Sequence, residues 1–97
     1  MEINPDDSTL VRDLGVTLLH AGRAAAADSV LSSVSAANPR DWDALYHLGI
    51  AREMRGDAPG AVAAYRAFLA LVPARLELAI TDAHRRLDSL QTAGPRP

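Results

Sequence analysis

Apolar residues recur along most of the chain at the spacing of one face of an α-helix. In the segment Ser8–Ala21 they stand at positions 10, 11, 14, 18 and 19. Steps of three and four residues place such side chains on one side of a helix, where they can pack against a neighbour. The pattern therefore predicts an amphipathic first helix, with Asp7 or Ser8 as its N-cap.

Four further helices are predicted over residues 24–37, 41–55, 59 to about 72, and 74–91. Gly22 and Gly56 are expected to end the first and third helices, because glycine adopts the left-handed conformation at a helix C-terminus without a Cβ clash. Pro39 and Pro73 should end the second and fourth, since the residue before a proline resists helical geometry. The expected fold class is all-α, with about five helices arranged as antiparallel hairpins.

The chain matches itself when its first half is aligned with its second half in one fixed register. The pairs in this register are Leu14 with Leu48, Gly15 with Gly49, Gly22 with Gly56, Ala27 with Ala61, and Pro39 with Pro73. A fixed period of about 34 residues indicates stacked structural repeats. Asn4-Pro5 matches Asn38-Pro39 by the same step. The protein either begins naturally with this imitation of a repeat end or is a piece of a longer array.

Two helix pairs at this period resemble the tetratricopeptide repeat (TPR) family, over about residues 5–91. The second repeat matches the family at Leu45, Leu48, Gly49, Gly56, Ala61, Tyr65 and Pro73. The first matches at Leu14, Gly15, Gly22, Ala27 and Pro39, with Val11 and Leu31 as aliphatic replacements. The aromatic that the family favours at repeat position 11 is replaced by Leu18 and Arg52.

The resemblance implies an organisation along the chain. Residues 1–7 form a lead-in that resembles a repeat end, 8–41 and 42–75 are the two repeats, 76–91 form a capping helix, and 92–97 form a flexible tail. Gly15 and Gly49 should let the helices of each pair approach closely, with Ala27 and Ala61 facing them. Trp42 is expected to wedge against the preceding helix between repeats; the alternative is an exposed binding hot spot.

In TPR proteins the first helix of each pair lines a concave groove that binds a partner peptide. The groove residues that the resemblance implies here are Arg12, Val16, His20, Tyr46, Ile50, Glu53, Met54, Ile80 and His84. They form an apolar strip with a charged rim, which suits an amphipathic helix or an extended apolar peptide, with Tyr46 as first anchor. The alternative is that half of these residues only contact a neighbouring helix.

Some TPR domains clamp a C-terminal carboxylate with basic and amide residues at defined positions. Of the equivalent residues here only Arg12 has suitable chemistry, and Glu77 would repel an anion. We do not expect this specialised role.

Composition and spacing argue against most other kinds of function. The net charge of −2, with ten arginines and no lysine, is unsuited to general nucleic-acid binding. There is no cysteine, and His20, His47 and His84 fall on three different predicted helices, so no metal site is expected. Neither a phosphate-binding glycine loop nor a nucleophile elbow is visible. We expect no catalytic residues, no cofactor and no enzyme activity.

No basic-then-apolar leader is visible, and no apolar run approaches the length of a membrane span, so we expect a cytoplasmic protein without membrane insertion. The abundance of alanine and the exclusive use of arginine suggest a GC-rich bacterial genome. The leading functional prediction is a scaffold module that binds a partner protein or peptide in its groove. The alternative is a structural subunit or fragment that assembles through its terminal helices into a larger complex or a homo-oligomer.

Overall fold

A computed structural model describes residues 8–92 and contains five α-helices. They are α1 (Ser8–His20), α2 (Ala24–Ala37), α3 (Trp42–Met54), α4 (Ala58–Leu71) and α5 (Glu77–Thr92). No strand occurs in this part of the chain, so the predicted all-α fold class is confirmed. The predicted lead-in, residues 1–7, and residues 93–97 of the predicted tail lie outside the described residues.

The repeat period of the sequence is also present in the backbone. Shifting α1 by one period gives the bounds of α3, and shifting α2 gives the bounds of α4. Gly22 and Gly56 have φ angles of 78° and 77° at the two helix ends. Their amides donate to the carbonyls of Leu19 and Glu53, which are equivalent in the repeat register, both at 3.0 Å. The two hairpins thus turn in the same way because glycine occupies the same left-handed position in each.

Helix ends differ from the predictions by a few residues. The predicted α1 and α3 each run one residue too far at the C-terminal end, and α5 begins at Glu77 rather than Ala74. Residues 74–76 form a turn instead, in which the Leu76 amide donates to the Pro73 carbonyl at 3.0 Å. Thr92, assigned to the tail by the sequence, is the last residue of α5.

Aspartates cap the two helices whose N-terminal caps are best defined. The Asp41 carboxylate accepts the Ala44 amide at 3.1 Å, and the Asp57 carboxylate accepts the Gly60 amide at 3.0 Å. Both bonds satisfy an amide that has no partner inside its helix. Pro59 follows in the first turn of α4, where the missing amide hydrogen costs little.

The core consists of two clusters that share α3 and α4. The first joins α1, α2 and α3, with Ala64 of α4, through buried residues that include Leu19, Leu31, Val34 and Leu48. The second joins α3, α4 and α5 through Leu45, Ala61, Tyr65, Phe68, Ala83 and Leu87. Since α3 and α4 contribute to both clusters, they connect the N-terminal and C-terminal halves of the described chain.

The glycines of α1 and α3 lie beneath large side chains. A Cβ at Gly15 would be 2.7 Å from Leu31 Cγ, and one at Gly49 would be 2.5 Å from Tyr65 Cε1. The three atoms nearest to each added Cβ thus belong to Leu31 or Tyr65 rather than to the alanines that were expected to face the glycines; Ala27 and Ala61 are both fully buried. Leu31 and Tyr65 follow these alanines by one helical turn, and their longer side chains extend over the glycines. Leu31 and Tyr65 are also equivalent in the repeat register.

The predicted apolar face of α1 is only partly buried. Leu10 and Leu14 are each 51% exposed, because α2 and α3 pack against the side of the helix that carries Gly15 and Leu19. Elsewhere Met54 is 52% exposed and Leu78 is 88% exposed. None of the helices within residues 8–92 is long and apolar enough to cross a membrane.

Candidate interaction surface

Alternate helices of the chain are joined by charged side chains. Arg12 on α1 lies 3.1 Å from carboxylate oxygens of both Asp41 and Asp43, at the start of α3. Asp41 is buried and also caps α3, so the same carboxylate orders the helix end and holds α1 beside it. The guanidinium of Arg12 is therefore engaged within the fold.

A second polar network joins α3 to α5. The Tyr46 hydroxyl donates to Asp82, and Arg86 Nε donates to the same carboxylate at 2.7 Å. Arg86 also donates to Glu53 at 3.1 Å, and Glu53 accepts the Tyr65 hydroxyl at 2.5 Å. These contacts, with those of Arg12, place α1, α3 and α5 side by side. We define the three-helix face by the predicted groove residues of these helices, which include Val16 on α1, Ile50 and Met54 on α3, and Ile80 on α5.

The network shifts the pKa values of its side chains. Burial opposes the charged form of Asp82, but hydrogen bonds from Tyr46, Arg86 and Arg85 outweigh it and lower the pKa of Asp82 from 3.8 to about 2. Burial and the hydrogen bond to Asp82 raise the pKa of Tyr46. Burial and the bond to Glu53 raise the pKa of Tyr65. At neutral pH both phenols are thus neutral, and Asp82 is ionised beside Arg86.

The lowered pKa predicts how acid weakens the contact of α5. A group with a depressed folded pKa stabilises the fold above its unfolded pKa and loses that contribution as pH falls through the folded value. Asp82→Asn should therefore lower the free energy of unfolding by about 1–2 kcal/mol at pH 7, and the difference from the wild type should shrink as the pH falls from about 5 and be mostly lost at pH 2. Urea denaturation between pH 7 and pH 2 measures this. Asp13→Asn, at an exposed position of α1, controls for the loss of a carboxylate; equal pH profiles for both variants would contradict the prediction.

Aromatic rings fill the space under the network. Tyr46 packs against Phe68 at a centroid distance of 5.0 Å and against Tyr65 at 6.2 Å. Trp42 lies 6.4 Å from Phe68 in a tilted arrangement and joins the second core cluster. Its ring partner thus belongs to α4 of its own hairpin, whereas the sequence pattern predicted a contact with the preceding helix. The fully buried Phe68 on α4 thus contacts two rings of α3.

The nine predicted groove residues fall into three groups. Arg12, Tyr46 and Glu53 make the polar contacts described above. Val16, Ile50 and Ile80 are partly buried, and Ile50 packs against both core clusters. His20, Met54 and His84 are exposed. The apolar side chains that the three-helix face offers to solvent are accordingly those of Val16, Ile50, Met54 and Ile80, of which Met54 is the most exposed.

One buried charged cluster was not predicted from the sequence. Asp28 on α2 is buried and lies 3.4 Å from Arg52 Nε and 2.6 Å from Arg55 on the α3 side, while Ser32 donates to it at 2.9 Å. Burial opposes ionisation, but the hydrogen bonds from Arg55, Ser32 and Arg52 lower the pKa of Asp28. The available signal was Asp28 inside the apolar stripe of α2 together with Arg52 in place of the expected aromatic. The buried carboxylate of Asp28 accounts for an arginine at position 52, and Arg52 in turn compensates the charge of Asp28.

The three histidines differ in their contacts and exposure. His47 places Nδ1 2.8 Å from the Asp43 carbonyl oxygen, within its own helix, whereas His20 and His84 are exposed. Within residues 8–92 no group of three or more His, Cys, Asp or Glu side chains could hold a metal ion. A surface hollow of about 380 Å³ at the α4–α5 connection is lined by Arg75, Leu76, Glu77, Leu78 and Ala79, none of which is a predicted groove residue.

Comparisons of the chain with protein-family models, with curated proteins and with solved structures found no match.

Proposed function

We propose that this protein is a TPR-type interaction module that holds a segment of a partner protein against its three-helix face. The observation that carries the proposal is the recurrence of partly exposed apolar residues at equivalent positions of α1 and α3, namely Val16 and Ile50, next to the exposed Met54. The shared period of the helix bounds and of the two glycine contacts supports the assignment to TPR-type repeats.

The charges of this face narrow the chemistry of the partner. Arg12 and Arg86 already bind carboxylates of the chain itself, and Tyr46 and Glu53 are hydrogen-bonded to α5 or α4. An acidic peptide would have to displace these internal partners. We therefore propose an apolar or amphipathic segment that gains affinity from hydrophobic contact with Val16, Ile50 and Met54.

Peptide selection from a random library displayed on phage tests this function directly. Selected peptides should share apolar residues and should bind Met54→Glu at least tenfold more weakly than the wild type by fluorescence anisotropy. Leu78→Glu is the matched control, because Leu78 is also exposed but lies at the start of α5. Selection of no peptide, or of peptides insensitive to Met54→Glu, would contradict a binding role for this face.

A second candidate is the structural subunit that assembles through its terminal helices. The observation in its favour is the half-exposed Leu14 on α1, whose equivalent in α3, Leu48, is only 3% exposed. In this function the outer side of α1 is an assembly contact and the three-helix face is not required.

A further inference from the structure

The outer flank of α1 has an internal counterpart that shows what kind of helix covers it. We define this flank by Leu14 and Leu18 on one side of α1 and by Ala21 in the turn that follows; Leu18 also contacts the first core cluster. In the repeat register these positions correspond to Leu48, Arg52 and Arg55 of the α3 segment. There α2 is the covering helix: Leu48 is buried in one cluster with Leu31 and Val34.

Charge is the main difference between the covered flank and the uncovered one. On α3 the arginines at positions 52 and 55 meet the buried carboxylate of Asp28, at 3.4 and 2.6 Å. On α1 the same two positions are Leu18 and Ala21, which offer no cation. A covering helix with an acid at the Asp28 position would bury that charge beside apolar carbon without a partner, which is strongly unfavourable.

From this complementarity we infer that the outer flank of α1 binds an amphipathic helix of another protein that resembles α2 in its small apolar residues but is uncharged at the Asp28 position. The inference rests on the second candidate function, assembly through a terminal helix. It adds the chemistry of the partner: alanine, valine and leucine on the contact side, and a neutral residue where α2 carries aspartate. Leu14 takes the central place that Leu48 has under α2.

Two synthetic peptides and five proteins test the inference. The peptides carry residues 21–40, one with the natural sequence and one with Asp28→Val, each held helical by a lactam bridge on the polar side and matched in helicity by circular dichroism. Fluorescence anisotropy gives their dissociation constants. The wild type should bind the Asp28→Val peptide at least tenfold more tightly than the natural one. Leu14→Glu should lose this binding, and Leu78→Glu should retain it.

A double variant of the protein should reverse which of the two peptides binds more tightly. Leu18→Arg combined with Ala21→Arg restores the two cations of the α3 flank, so this variant should favour the natural peptide with Asp28. Because Leu18 is partly buried, the double variant carries a risk of misfolding. Ala21→Arg alone changes an exposed position and should still improve binding of the natural peptide severalfold.

The outcomes separate the occupants of this flank. Equal binding of both peptides, binding of neither peptide, or the absence of any reversal would overturn the inference. A concentration-dependent increase of mass in light scattering that Leu14→Glu abolishes would assign the flank to a second copy of this chain, which also overturns it. Peptides selected on the three-helix face should bind Leu14→Glu normally, so failure here is distinguishable from failure of the groove function.

Discussion

Replacing Tyr65 with alanine should lower the free energy of unfolding by about 3–5 kcal/mol, the largest effect expected for one residue of this chain. The Tyr65 ring is fully buried, covers Gly49 and contacts Tyr46 at a centroid distance of 6.2 Å. Its removal leaves a cavity between α3 and α4 that rigid helices fill poorly. Since domains of this size have total stabilities of about 5–15 kcal/mol, thermal and urea unfolding should both shift strongly.

Tyr65→Phe separates the packing of the ring from its hydrogen bond. The phenyl ring keeps the contact with Gly49, while Glu53 loses the hydroxyl donor at 2.5 Å and retains Arg86. The expected cost is about 1 kcal/mol. Equal losses for the alanine and phenylalanine variants would show that the hydroxyl, rather than the packed ring, stabilises the second hairpin.

Gly49→Ala is expected to destabilise the protein by about 1–3 kcal/mol even though alanine is the better helix former. The new methyl group would stand 2.5 Å from Tyr65 Cε1, and the ring cannot withdraw because it is enclosed by α3, α4 and the bond to Glu53. Urea denaturation monitored by circular dichroism measures the change.

Gly49→Ala combined with Tyr65→Leu provides the control for that steric conflict. It recreates the residue pair at Gly15, where the neighbour is Leu31. A flexible leucine side chain can shift about χ1 and χ2, whereas the enclosed tyrosine ring cannot. The added methyl should cost less beneath leucine than beneath tyrosine, by about 1 kcal/mol in a double-mutant cycle. A stabilising Gly49→Ala, as propensity alone predicts, would contradict the close approach of the two helices.

The helix bounds could be read from the sequence because glycine and proline punctuate the chain at a fixed period. Gly22 and Gly56 take positive φ angles at both predicted helix ends. Where this punctuation is weaker, as between Pro73 and Glu77, the predicted start of α5 was three residues early. Propensity favours helix at Ala74, but the turn after the proline prevails.

The contacts between side chains were harder to predict than the helices. Periodicity shows which side of a helix a residue lies on, but it does not show how far the side chain extends. The contacts of Gly15 and Gly49 with Leu31 and Tyr65 depend on side-chain length as well as position. The ion pairs of Arg12 and of Asp28 likewise join residues far apart in sequence. A departure from a repeat pattern, such as Arg52, is informative once its partner is known.

The placement of a bound peptide tests the central proposal most directly. Two-dimensional ¹H–¹⁵N NMR spectra of the protein, titrated with a peptide selected from the phage library, report which amides change. We predict the largest shifts at Val16, Ile50 and Met54, on the three-helix face, and small shifts at Leu14 and Leu18. Shifts confined to the outer flank of α1, with none on the three-helix face, would contradict the proposed groove function.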